Sequence, residues 1–237
     1  MITIQTNRLE PSILANARNK SLTTEWLREG VNKLMRDNRE ILDADGVDTS
    51  LFYNHDPATG RTRQGYPLVI YHCINGLFYL TGINEGAFAL GKLAGLYQTP
   101  FLLGGIEFSG FREEKLGSEF NLGVVGQQHT YSLIEWRPVH HTQRSAFAQL
   151  GMAAKVNELQ RKLEKHLTNE LGKYLKIDFK GLKLEITDIT RVYEPLLYKK
   201  RHKYPAFDIR FTANGILPDM ITLGNHQALG YGRVVQQ

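Results

Sequence analysis

The residues with chemistry to offer in this 237-residue chain are eight histidines, a glycine-rich tail and one short run of cations. Histidine can take or give a proton near neutral pH. On residue grounds most of the eight have a plainer explanation. His72 lies inside a strand-like run and His129 begins another, so packing accounts for both. His166 sits among lysines on a helical stretch. His140 and His141 follow Pro138, where a junction role competes with a functional one. His202 falls within Lys199-Lys200-Arg201-His202-Lys203, a cluster suited to phosphate contact more than to proton transfer. His55, in Asn54-His55-Asp56-Pro57, reads as a turn when taken alone. In the tail, Gly224, Gly230 and Gly232 surround His226 and precede Arg233. Closely spaced glycines let a backbone approach a phosphate and present its amides. The competing reading is a tight turn or bulge before an edge strand.

Charge points the same way. The net charge is +5, but residues 1 to 136 carry 12 Lys/Arg against 15 Asp/Glu, whereas residues 137 to 237 carry 17 against 9. The basic character therefore belongs to the second half, and a polyanionic partner would be held there. Cys73 is the single cysteine, so no internal disulfide can form. No Cys-x-x-Cys or His-Glu-x-x-His pairing marks a zinc site, and neither metal nor cofactor is expected. No segment approaches the ~20 apolar residues of a membrane span, and Met1 to Asn7 lacks the build of a signal peptide, so the expected location is the cytoplasm.

The elements that must position these residues alternate between strand and helix. Residues 2 to 6 read as a strand, and Thr23 to Leu42 as a helix with Leu27, Val31, Leu34 and Met35 in period. Asp43 to Gln64 is rich in turn formers and reads as a loop containing His55. Tyr66 to Ile74 and Leu77 to Thr81 flank Asn75-Gly76, a strong hairpin signal. Glu85 to Leu96 follows as a helix, with strands around Phe108 and at Thr130 to Trp136. Ser145 to Leu175 reads as one long amphipathic helix, with Leu159, Leu163, Leu167, Leu171 and Leu175 spaced by four. Lys183 to Val192 is a strand. Leu196 to Tyr198 and Phe207 to Phe211 are expected to pair around the turn from Lys199 to Lys203. Gly230 to Val235 closes the series. The order predicts an α+β chain of two tandem ferredoxin-like (split βαβ, RRM-like) halves, 1–138 and 139–237.

The tail from Leu217-Pro218-Asp219 to Gly230-Tyr231-Gly232-Arg233-Val234 resembles the C-terminal glycine-rich loop of the CRISPR repeat-processing endoribonucleases. These belong to the repeat-associated mysterious protein (RAMP) superfamily. Leu51-Phe52-Tyr53-Asn54-His55, Tyr66 to Tyr71 and Ile83-Asn84-Glu85-Gly86 are similar to one bacterial branch, in the same order along the chain. Two positions depart from the pattern: Thr222 stands where the family usually has glycine, and Asn225 where it has lysine. Arg233 and His226 are the cations left to serve in that lysine's place.

The resemblance implies metal-independent cutting of CRISPR repeat RNA, in which a 2'-hydroxyl attacks the adjacent phosphate to leave a 2',3'-cyclic phosphate. It places His55 at the catalytic position, with Tyr53 orienting the substrate or sharing proton transfer. Arg61 and Arg63 would neutralise phosphate charge. Lys199, Lys200, Arg201, Lys203, Gly224, His226, Gly230, Gly232 and Arg233 would bind RNA. Other subunits of a CRISPR complex are possible partners. Two alternatives stand beside this reading: a non-catalytic RNA-binding subunit of an interference complex, and a ferredoxin-like protein unrelated to RNA.

Overall fold

The structure is a computed structural model that describes residues 2–11, 23–53, 65–96, 101–103, 106–114, 123–194, 196–197 and 200–237. The chain forms two compact units, Met1–Phe120 with Ala228–Gly230, and Asn121–Gln227 with Tyr231–Gln237.

The first unit begins with β1 (Ile4–Pro11), followed by α1 (Thr24–Asp37) and two short helical turns, Arg39–Ala44 and Ser50–Tyr53. The helix expected to run to Leu42 breaks at Asn38, whose φ is −120° and whose Nδ2 donates to the Leu34 carbonyl at 3.0 Å. A side chain that bonds the backbone in this way competes with the helical ladder. β2 (Val69–Ile74) and β3 (Leu77–Ile83) form the expected hairpin. Asn75 and Gly76 have φ of 52° and 78°, the two positive values a type I′ turn requires. Then come α2 (Glu85–Leu96), β4 (Phe101–Leu103) and β5 (Ile106–Glu114). The sheet order is β2-β3-β1-β5-β4, with the described pairs antiparallel. Leu27, Val31 and Met35, four apart on one face of α1, join Leu90 and Leu93 of α2 in a core with Leu9, Val69, Tyr71, Phe78 and Leu80.

In the second unit, β6 (Gly123–Trp136) is longer than the stretch expected from the sequence. It lies ahead of Pro138 yet is an inner strand of this unit's sheet, because it pairs on both sides. α3 (Met152–Lys165), β7 (Leu184–Tyr193), β8 (Leu196–Leu197), β9 (Lys200–Lys203), β10 (Ala206–Ile216) and β11 (Arg233–Gln236) follow. The four-stranded sheet has the order β11-β6-β10-β7. Counting strands in chain order within each unit, and treating β4 as an added hairpin strand, both sheets read fourth-first-third-second. That is the ferredoxin-like order twice over, an α+β fold with two tandem halves. Between β10 and β11, residues 217 to 232 form no α-helix, only a short 3-10 turn at Gln227–Leu229, where the ferredoxin-like order has its second helix.

Leu196 does not pair with the strand containing Phe207. Instead β8 pairs with β9, Leu196 opposite Lys203, so Lys200, Arg201 and Lys203 lie on a strand and not in a turn. The long helix is also not one helix. It starts afresh after Gly151 and widens to a π-helix over His166–Gly172. A strict four-residue leucine spacing drifts by roughly 40° per step around an α-helix. A π turn drifts the other way, and all five leucines are buried. His166 goes in with them, 6% exposed, and does not share the solvated lysine face on which its neighbours placed it.

Candidate nucleic-acid interface

The glycine-bearing tail is held to the end of β6 by backbone bonds. The Leu223 N–H donates to Gly232 O at 2.8 Å, and the Gly232 N–H to Glu135 O at 3.1 Å. Asn225 donates to the Arg137 carbonyl from both its backbone N, at 3.0 Å, and its Nδ2, at 2.7 Å. The residue standing where a loop lysine is usual thus closes the loop on its own protein.

The glycines have internal reasons to be glycine. Gly230 and Gly232 both have φ of 74°. A Cβ at Gly232 would overlap the Leu223 carbonyl, and one at Gly230 the Tyr71 carbonyl, far inside the 3.0 Å limit for real contacts. At Gly224 a Cβ would lie 3.0 Å from the Arg137 carbonyl and the Trp136 indole. The expectation of free amides facing a phosphate is corrected at Gly232, whose N–H is already engaged.

Trp136 and His166, both buried, begin a polar chain that reaches the tail through half-buried Glu170 and Gln227. Trp136 Nε1 donates to His166 Nδ1 at 3.2 Å, which leaves the ring proton on Nε2, facing Glu170 Oε1 at 3.7 Å. Gln227 Nε2, from the tail, donates to Glu170 Oε2 at 3.1 Å. Burial, reinforced by Lys162 and Lys165, pushes His166 down to about 3, and burial pushes the Glu170 carboxyl up. The unfolded imidazole, near ~6.5, therefore binds a proton that the folded one refuses. Its stabilising contribution is complete above pH ~6.5 and is lost as pH falls toward 3. Glu170 has the opposite slope, because its folded carboxyl holds a proton more tightly than the unfolded one. We expect His166→Leu to flatten the fall in denaturation midpoint between pH 7 and 5. An unchanged slope would assign that titration to another group.

Arg137 is 1% exposed, and its guanidinium carbon lies 3.4 Å from the centroid of the Tyr231 ring. Its Nε and Nη1 are buried with no hydrogen-bond partner among the described residues. Cation–π stacking offsets part of the burial cost of that charge. The sequence carried no local signal for this pair.

Of the residues anticipated for RNA contact, Gly224, His226, Gly230, Gly232 and Arg233 are brought into this tail. Arg233 stands opposite Ile134 in the sheet and is half-buried, and His226 adopts a left-handed φ of 64°. Lys200, Arg201 and Lys203 lie apart on β9. His55, Arg61, Arg63 and Lys199 lie outside the described residues. Tyr53 is occupied within its own unit. Its hydroxyl donates to the Asn32 carbonyl at 3.3 Å, its carbonyl accepts from Arg28 Nη2, and burial holds its phenol above the usual range. A phenol held above its usual range gives up its proton less readily.

A crystal structure of Cas6b aligns over 100% of both chains, with a TM-score of 0.74 and 17% identity. The fold is that of Cas6b. A structure described as the CRISPR RNA processing endoribonuclease Cas6b also covers both chains fully, at a TM-score of 0.64 and 17% identity. Csf5, described as a CRISPR-Cas type IV Cas6 crRNA endonuclease, does so at 0.61 and 13%. No family model and no curated protein sequence matches the chain. Among the described residues no helix is long and apolar enough to cross a membrane.

Proposed function

We propose that this protein is an endoribonuclease that cuts CRISPR repeat RNA, by attack of a 2'-hydroxyl on the adjacent phosphate and without a metal ion. The observation that carries the reading is the full-length Cas6b-like fold, together with a tail whose residues resemble those of repeat-processing enzymes. The reaction needs a base for the hydroxyl proton, an acid for the leaving oxygen and cations for the charge building on phosphate. His55 takes proton-transfer duty. Arg61 and Arg63 follow directly on the Pro57-Ala58-Thr59-Gly60 stretch and serve the phosphate. Incubating the protein with repeat RNA in chelator is the test. Discrete fragments ending in a cyclic phosphate support the reading, and intact RNA, or cutting that requires added divalent metal, overturns it.

One observation favours a second reading, an RNA-gripping subunit that does not cut. Asn225 and the Gly232 amide are spent on closing the loop, which leaves fewer donors for a reacting phosphate. In the same assay such a protein shifts the RNA and leaves it whole.

Binding in either reading draws on the basic second half. Replacing Lys199, Lys200 and Arg201 with alanine is expected to flatten the dependence of log affinity on log salt by about 0.7 for each phosphate that is no longer neutralised. A slope equal to that of the wild type would remove Lys199, Lys200 and Arg201 from the RNA-binding surface.

A further inference from the structure

The second unit carries a group of rings that the proposed reaction does not use. His140 is exposed, and its ring lies 4.1 Å from that of His141. His140 is oriented from below and from the side. His141 Nδ1 is bonded to the Tyr204 hydroxyl at 3.1 Å, and His140 Nδ1 to Thr142 Oγ1 at 2.9 Å. Tyr204 is 2% exposed, so the stack is anchored in the core. A lone surface histidine would sample several rotamers, whereas this one is backed by a second ring and tied by a hydroxyl. Three residues earlier, Arg137 buries a guanidinium with two nitrogens unpartnered among the described residues. Its charge is little screened and makes the neighbourhood attractive to an anion.

We propose that His140 is a stacking platform for one unpaired nucleobase of an RNA ligand. The inference rests on the RNA reading above and adds a place on the protein where a base is received. An unstacked base finds its partner on an aromatic face, and a fixed ring loses little freedom on binding. The phosphates flanking that base meet a half of the chain with 17 Lys/Arg against 9 Asp/Glu over residues 137 to 237. Stacking is tolerant of base identity, so this contact sets position along the strand and not sequence.

Affinity for a single-stranded repeat RNA, measured for His140→Ala, His140→Phe and His140→Lys, separates the outcomes. Exposure of His140 keeps folding out of the comparison, and the thermal midpoint of each variant verifies that. We expect alanine to weaken binding about tenfold to a hundredfold, phenylalanine to restore it and lysine to leave it weak. RNAs carrying one abasic site each are then scanned. At a single position the abasic site should weaken the wild type and leave His140→Ala unaffected. Wild-type affinity in His140→Ala, or restoration by lysine and not by phenylalanine, overturns the platform while leaving the RNA reading intact. Failure of the wild type itself to bind RNA overturns both.

Discussion

His55→Ala is expected to cut repeat RNA roughly 100- to 10,000-fold more slowly than the wild type, with its affinity for the RNA nearly unchanged. Proton transfer acts on the barrier and contributes little to ground-state binding, so the loss should appear in the single-turnover rate and not in the dissociation constant. An imidazole can serve as base or acid near neutral pH. Tyr53, two residues earlier, has its hydroxyl engaged with Asn32. Tyr53→Phe should therefore affect the rate far less than His55→Ala. A wild-type rate in His55→Ala, measured in chelator beside a binding assay, would move the search to His140 and His141.

Gly232→Val is expected to destabilise the second unit by about 4 kcal/mol or more, beyond the usual range for a point change. Three costs combine. A β-branched residue at φ 74° is strained by at least ~1 to 2 kcal/mol. The Cβ would overlap the Leu223 carbonyl, so the backbone must move. Moving it breaks the Leu223-to-Gly232 and Gly232-to-Glu135 bonds, at about 1 kcal/mol each. Gly181→Ala isolates the first cost, since Gly181 has φ of 80° with nothing within 4 Å of its Cβ position. It should cost about 1 kcal/mol. Thermal unfolding of the two variants beside the wild type measures the difference. A Gly232→Val protein as stable as Gly181→Ala would mean that the loop relaxes freely, and would return its glycines to an RNA-facing role.

Asn75-Gly76 was legible because a type I′ turn is a local demand on two residues. The leucines of 159 to 175 were legible as a buried face, but not the π widening that keeps them there, since periodicity alone does not report which helix geometry absorbs its drift. For Gly230 and Gly232 the sequence showed that backbone freedom was needed. It did not show whether the atom crowding the Cβ belonged to a ligand or to the protein, and at both positions a protein carbonyl does so. Nor could it pair β8 with β9. Short strands choose partners by tertiary packing, and the rings of His140, His141 and Tyr204 meet only once the fold has closed.

The tail also sets the timetable on which the protein can assemble. Residues 228 to 230 count with the first unit and 231 to 237 with the second, so neither unit is an unbroken stretch of chain. β11 pairs with β6, Arg233 opposite Ile134, across nearly the whole second unit. A ribosome releases those residues after everything they pair with. Neither unit is complete until then, however early its local hairpins and helices form. Folding of such long-range pairings is slow, and a nascent chain waiting for them exposes unpaired strand edges. Removing residues 228 to 237 therefore cannot act as a clean deletion of one loop. It takes a strand from one unit and a packed segment from the other, and aggregation during synthesis is the outcome to expect.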